Sequence, residues 1–220
     1  MPGSSPFGTA AIRRPAVLAV SLVLLPAAAA AGGQTVIQND SVVDFGNVAI
    51  QAGFVADERG AAWLTATCDG DLTAVRVLWL SILGGQPDVL GQAITISEPG
   101  TFPVPGMVLR ELLGPIMQDG FFNEFPVIPG IPMTNGQTVV VDFQFLFDPN
   151  ALGPSLVTDV NGCQAGRNGI FAIPPSSWFS ACALGVTGDI AIRGVLDCTL
   201  PIFEDGFESG DLSAWSDVVP

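Results

Sequence analysis

The chain has 220 residues, with 21 acidic side chains against seven basic ones and no His or Tyr. It has no Lys either, so every basic residue is an arginine. A polyanion of this kind repels nucleic acid and acidic lipid headgroups. The missing histidine excludes Ser-His-Asp and Cys-His hydrolases, and the missing lysine excludes Schiff-base chemistry. Since 49% of the residues are apolar, the chain can bury a core despite its charge.

Residues 1–31 read as an export signal. Arg13 and Arg14 form a positive start, residues 16–25 form a short apolar run, and Pro26 precedes an alanine tract suited to cleavage after Ala31. The run is shorter than a bilayer span, and no later segment is apolar for long enough to be a transmembrane helix. Removing the signal leaves about 190 residues, enough for one domain over 32–200. It also leaves five arginines against the 21 acids.

Beyond the signal the dominant period is two. In residues 137–147 Val139, Val141, Phe143, Phe145 and Phe147 share one face, while Val140, Asp142, Gln144 and Leu146 share the other, which is expected to be partly wet. Val75, Val77 and Trp79 alternate with Arg76, Leu78 and Leu80 in the same way. Ile190 and Ile192 alternate with Ala191 and Arg193. Shorter strands are expected at 35–38, 48–51, 62–67, 93–97 and 156–158. Turn signals such as Asp69-Gly70, Asn135-Gly136, Asn161-Gly162 and Gly188-Asp189 separate them.

Only residues 107–113 read as helical, and the Pro-rich stretch 99–132 reads as long loops across one end. The fold expected is all-β: a two-sheet antiparallel β-sandwich, jelly-roll-like, with one short helix at most. Residues 201–220 form an acidic C-terminal tail.

Four cysteines behind an export signal imply two disulfides. Three pairings are possible. Cys163–Cys182 with Cys68–Cys198 is favoured, one bridge closing a local loop and the other tying an early strand to the last. Zinc is disfavoured, because there is no CxxC spacing and no histidine.

Carboxylate chemistry, the kit of glycosidases, is the catalysis left open. Asp119 and Glu124 flank an apolar stretch, but nothing in the sequence fixes a second carboxylate across a bond. Calcium is possible at acidic turns: Asp69 and Asp71 in one, Asp159 and Asn161 in another, and Asp205, Glu208 and Asp211 in the tail. Such turns also arise because Asp and Asn bond nearby backbone.

Trp63 and Trp79 read as core. Trp178 and Phe179, in a loop beside Cys182, read as rings for stacking on sugar faces or as plugs for the sandwich end. Phe121, Phe122 and Phe125 cluster in the other long loop. Arg167 and Asn168 lie within the 163–182 loop. Arg167 suits a ligand carboxylate or, more simply, a nearby acid such as Asp159.

The tail run Asp205, Gly206, Phe207, Glu208, Ser209, Gly210, Asp211, Leu212, Trp215 and Ser216 resembles a short C-terminal element of secreted Gram-negative proteins. It is also similar to the opening strand of some lectin-like jelly rolls. The body, from TCDGDL through VLWLS and GCQAGRN to IPPSSWF, resembles uncharacterised bacterial secreted β-sandwich proteins. The resemblance implies fold class and extracytoplasmic fate, and no catalysis.

The function expected is a secreted, non-catalytic binding or structural role at the cell surface, with glycan as the first ligand to consider. A carboxylate-based carbohydrate-active enzyme and a surface assembly or adhesion subunit are the alternatives.

Overall fold

The computed structural model describes residues 33–148 and 153–199. The expected signal over 1–31 and the expected acidic tail over 201–220 lie outside the described residues.

Fourteen strands and one 3₁₀ turn follow in chain order: β1 (Gln34–Ile37), β2 (Val48–Ile50), β3 (Arg59–Thr65), β4 (Gly70–Leu80), β5 (Val89–Leu90), β6 (Ala93–Ser97), β7 (Val108–Leu113), β8 (Ile116–Met117), β9 (Phe121–Met133), β10 (Thr138–Gln144), β11 (Ser155–Asp159), β12 (Asn168–Ala172), β13 (Ser177–Ser180), the turn Cys182–Leu184, and β14 (Ile192–Cys198). The fold is the all-β, two-sheet antiparallel sandwich that the period-two pattern requires. The first sheet runs β1-β14-β4-β11-β2, with β9 on the other edge of β4. The second runs β13-β12-β3-β10-β6-β7. A small β5–β8 ribbon stands apart.

The alternation places its apolar residues between the sheets. Leu72, Val75, Val77 and Trp79 of β4 meet Val139, Val141 and Phe143 of β10, with Leu64, Ile94, Ile96 and Leu156 around them. The close approach of the sheets is visible at Gly60, where a Cβ would lie 2.4 Å from Leu156 Cδ1. The other faces are less wet than their pattern suggests. Val140 joins Ala61 and Trp63 in a second cluster on the outside of the second sheet, and Phe102 and Trp178 pack onto it. Leu78, Leu80, Val157 and Ala191 form a third cluster outside the first sheet, under Val42.

Two sequence expectations are corrected. The stretch expected to be helical, 107–113, instead carries strand β7 over Val108–Leu113, because VLRELL finds a partner in β6, with Thr95 opposite Glu111 and Ile94 opposite Leu112. Two helical turns alone have too few bonds to compete with a ready sheet edge. The Pro-rich stretch is also largely strand. Residues of β9 pair with β4 at both ends, while 127–130 leave the ladder opposite Leu72 and Ala74. Proline is tolerated there because β9 is an edge strand that need not donate on both sides. Arg110 of β7 reaches across the open side of the sandwich, donating from Nη1 to the Ile128 carbonyl at 2.9 Å and from Nη2 to that of Pro129 at 3.3 Å.

Both favoured disulfides are present. Cys68–Cys198 spans 130 residues and ties the start of β4 to the end of β14, and Cys163–Cys182 spans 19. Loop-closure entropy rises with loop length, so the long bridge limits the unfolded chain more. Replacing both Cys68 and Cys198 by Ala should lower stability by about 4–5 kcal/mol, against about 3 kcal/mol for the 163–182 pair. Urea unfolding of the two double variants checks the order. A larger loss from the local bridge would refute it.

Candidate functional site

Among the residues singled out from sequence, several are drawn into one buried polar knot. Asp159 ends β11 and Asp189 precedes β14, and both are almost wholly buried. Asp159 Oδ1 accepts from the Asp189 backbone N–H at 2.8 Å, and its Oδ2 accepts from the backbone N–H and hydroxyl of Ser41 at 2.7 and 3.0 Å. Asp189 Oδ1 accepts from the Gln164 backbone N–H at 2.8 Å and from the Asn168 amide. Asn168 Oδ1 in turn accepts from the Ile190 N–H at 2.9 Å. Asn168 belongs to the second sheet and Ile190 leads into the first, so this amide bolts the layers together. Asn161 lies outside the knot, donating to Ser41 Oγ at 2.8 Å. The backbone packs tightly here: a Cβ on Gly188 would fall 1.8 Å from the Asp159 carbonyl oxygen.

The expected Arg167–Asp159 pair does not form. Arg167 Nη1 donates to Thr65 Oγ1 at 3.1 Å, and the acid next to Asp159's partner Ser41, Asp40, is met by Arg193, whose Nε donates to Oδ2 at 3.0 Å. Asp69 and Asp71 are exposed at the far end of β4, where Asp69 accepts from the Asn135 N–H at 2.7 Å. Separate disulfides secure the two acidic turns, and neither bridge joins one turn to the other. Among the described residues, no three His, Cys, Asp or Glu side chains converge in a set fit for a metal. The tail acids Asp205, Glu208 and Asp211 lie outside the described residues.

Trp178 and Phe179 sit on β13 rather than in a loop. Register puts Trp178 opposite Phe171 and Phe179 opposite Ile170, so the two rings face opposite sides of the sheet. Trp178 is half-buried on the outer side and lies edge-on to Trp63, with centroids 6.4 Å apart; Phe102 meets Trp63 from another direction at 5.0 Å. Trp63 Nε1 donates to the Pro99 carbonyl at 2.9 Å.

Asp119 and Glu124 do not face each other across a cleft. Glu124 pairs with Arg76 Nε at 2.6 Å on the exposed outside of the first sheet. Asp119 accepts from the Ser81 N–H and hydroxyl at 2.7 and 2.6 Å and from the Gln86 N–H at 2.9 Å. Burial alone would raise its pKa, but the Ser81 hydroxyl and the N–H groups of Gln86, Ser81 and Gly120 outweigh it, and the net shift is downward. Asp119 is thus the anchor of loop 81–86.

That loop walls a cleft not anticipated from sequence. Where β4 and β10 run out, a cleft of about 390 Å³ opens at the end of the sandwich. Trp79, Phe143 and Phe145 form its floor, and their rings lie 5.1–5.7 Å apart. Leu83, Val89 and Leu90 line one side, and Leu146 and Phe147 the other. Phe147 was expected on the inward face. It is 64% exposed because β10 ends at Gln144, three residues earlier. Among the described residues, the charged ones lining the cleft are Asp88 and Asp148. The sequence signal for this site was an apolar period running past the end of its strand.

Comparison with protein-family models, with curated proteins and with solved structures finds no match.

Two expectations follow from the polar groups. Asn168→Leu keeps the branched shape but strands the buried Ile190 N–H and takes one donor from the Asp189 carboxylate, which keeps Gln164. It should cost about 3 kcal/mol or more, read as a fall in the urea midpoint; a near-neutral effect would mean that the bolt carries no load.

The second concerns Asp142, buried on the outer side of β10. Burial pushes its pKa up to about 6, against the pull of Arg59, whose Nη1 donates to Oδ1 at 3.3 Å, and with a further push from Glu111. A carboxyl raised in the folded state binds its proton more tightly than in the unfolded chain. Its contribution is therefore most favourable below about pH 4 and is lost as pH rises through 6. Asp142→Asn should stabilise the protein by up to about 3 kcal/mol at pH 7.5, with the gain vanishing near pH 4. Melting temperatures of both proteins across that range check the sign.

Proposed function

We propose that this protein is an exported, non-catalytic β-sandwich that binds a small apolar ligand in its end cleft, outside the cytoplasm. The observation that carries the reading is the cleft itself. A space of about 390 Å³ is in the size range of small-molecule sites, which are mostly apolar with a few polar groups at the edge. Leu83, Leu90 and Phe147 stand exposed around it, at a position where a folded chain has no structural need for open apolar side chains. Two disulfides support an oxidising compartment, as does the signal-like start of the sequence. Among the described residues no helix is long and apolar enough to cross a membrane.

The non-catalytic part rests on the carboxylates. Asp119 and Glu124, the pair considered for glycoside chemistry, are each held by other partners at separate places. Glycan binding has one observation of its own: Trp178, half-buried beside Phe171 and Trp63 on the outer side of the second sheet. Aromatic rings on a sheet face suit sugar stacking, although here the rings largely cover one another edge-on.

The two sites are separable by experiment. The uncharged fluorophore N-phenyl-1-naphthylamine should bind the exported form with a rise and blue shift in emission. Leu90→Asp and Phe147→Ala, both at exposed positions that spare the core, should weaken it by roughly tenfold. Trp178→Ala should leave it unchanged. No binding of the probe would remove the cleft reading. A glycan-array signal lost only in Trp178→Ala would transfer the function to the outer face of the second sheet.

A further inference from the structure

We infer that the end cleft selects an organic cation: an apolar or aromatic body carrying a quaternary or protonated amine. The inference rests on the cleft being the ligand site and adds the ligand's charge.

Two features of the lining point the same way. The floor is aromatic, with Trp79, Phe143 and Phe145 below, and a fourth ring, Phe147, stands at the mouth. Aromatic faces carry negative potential, and cations held over them are stabilised, Trp being the strongest partner. The charges lining the cleft are both negative, Asp88 and Asp148, and both residues are exposed at its edge. Asp148 is positioned by the Ala56 N–H, which donates to Oδ1 at 2.8 Å. No hydrogen bond from a described residue occupies the Asp88 carboxylate.

What surrounds the cleft strengthens the bias. The chain has no lysine or histidine, and all five arginines of the described region are placed elsewhere. Arg59, Arg76 and Arg193 pair with Asp142, Glu124 and Asp40. Arg110 binds the β9 carbonyls and Arg167 binds Thr65. None lines the cleft. An anionic ligand such as a fatty acid would bring its carboxylate beside two others with no cation to meet it. A cationic ligand finds complementary charge at the mouth and an aromatic floor for its body.

Three ligands of nearly the same shape isolate the charge: phenyltrimethylammonium, tert-butylbenzene and 4-tert-butylbenzoate. Each is titrated against N-phenyl-1-naphthylamine bound to the exported form. The cation should displace the probe at about a tenth of the concentration that the neutral isostere needs. The anion should be the weakest of the three. The double variant Asp88→Asn with Asp148→Asn keeps an acceptor for the Ala56 N–H and leaves the core untouched. In it the cation's advantage should fall to a small residue, while tert-butylbenzene binds as before. Added salt should weaken the cation alone.

Equal affinity for all three isosteres, or an anion that binds as tightly as the cation, overturns the inference and leaves the apolar cleft standing; a cation preference that survives the double variant supports the selection and assigns it to the aromatic floor. Failure of the fluorophore and of all three ligands to bind overturns both. A double variant that loses tert-butylbenzene as well shows that the carboxylates shape the cleft rather than select charge, which also overturns it.

Discussion

Buried carboxylates that must be satisfied without cations govern how the loops of this sandwich are held. Asp40, Glu58, Asp119, Asp142, Asp159 and Asp189 are all buried, in a chain with no lysine or histidine and few arginines. A buried charge left unpaired is costly, so each needs donors close at hand. Arginine meets only Asp40 and Asp142. The others take backbone N–H groups: Asp159 from Ser41 and Asp189, Asp189 from Gln164, Asp119 from Ser81 and Gln86, and Glu58 from Val55 and Ile173. A carboxylate that accepts two or three N–H bonds fixes the course of the chain that supplies them. Loops 39–47, 81–86 and 160–168 are therefore set by acids rather than by apolar packing. The end cleft inherits its wall from this device, since Asp119 holds the loop that carries Leu83.

This also explains how much was legible in the sequence. The sandwich was, because alternation in β4 and β10 is unambiguous and each strand buries its apolar side against the other. The disulfides followed from the same picture, with the first and last strands side by side. VLRELL in β7 was not legible. Its leucines fit a helix as well as a strand, and only the free edge of β6, the strand before it, decides between them. The Pro-rich β9 was hidden for a related reason: proline excludes a central strand but not an edge, and edge position is a tertiary property.

The surroundings of the candidate site residues were less legible. Asp and Asn in a tight turn carry the same side chains whether they bind an ion or the backbone. The outcome for Asp159 and Asn168 depended on which N–H groups the other sheet would present, and sequence spacing does not encode that. The cleft was hidden because its lining comes from four separate stretches, around Trp79, Leu83–Leu90, Phe143–Asp148 and Pro154. Its one local sign was Phe147, an apolar residue in phase with β10 but beyond its end.

Acid–base chemistry needs two titratable groups with separated pKa values that reach the same reacting atoms. The two carboxyls whose pKa values shift here go in opposite directions, Asp119 down and Asp142 up. They do not share a site. Asp119 spends both oxygens on loop 81–86. Asp142 is one residue before Phe143 on β10, and neighbours on a strand face opposite sides. Phe143 looks into the cleft, so Asp142 looks away from it, toward Thr95 and Arg59. The group best suited by pKa to hold a proton near neutrality is thus separated from the cleft by a whole sheet. What lines the cleft instead is an aromatic floor and two exposed carboxylates, groups that act by shape and charge.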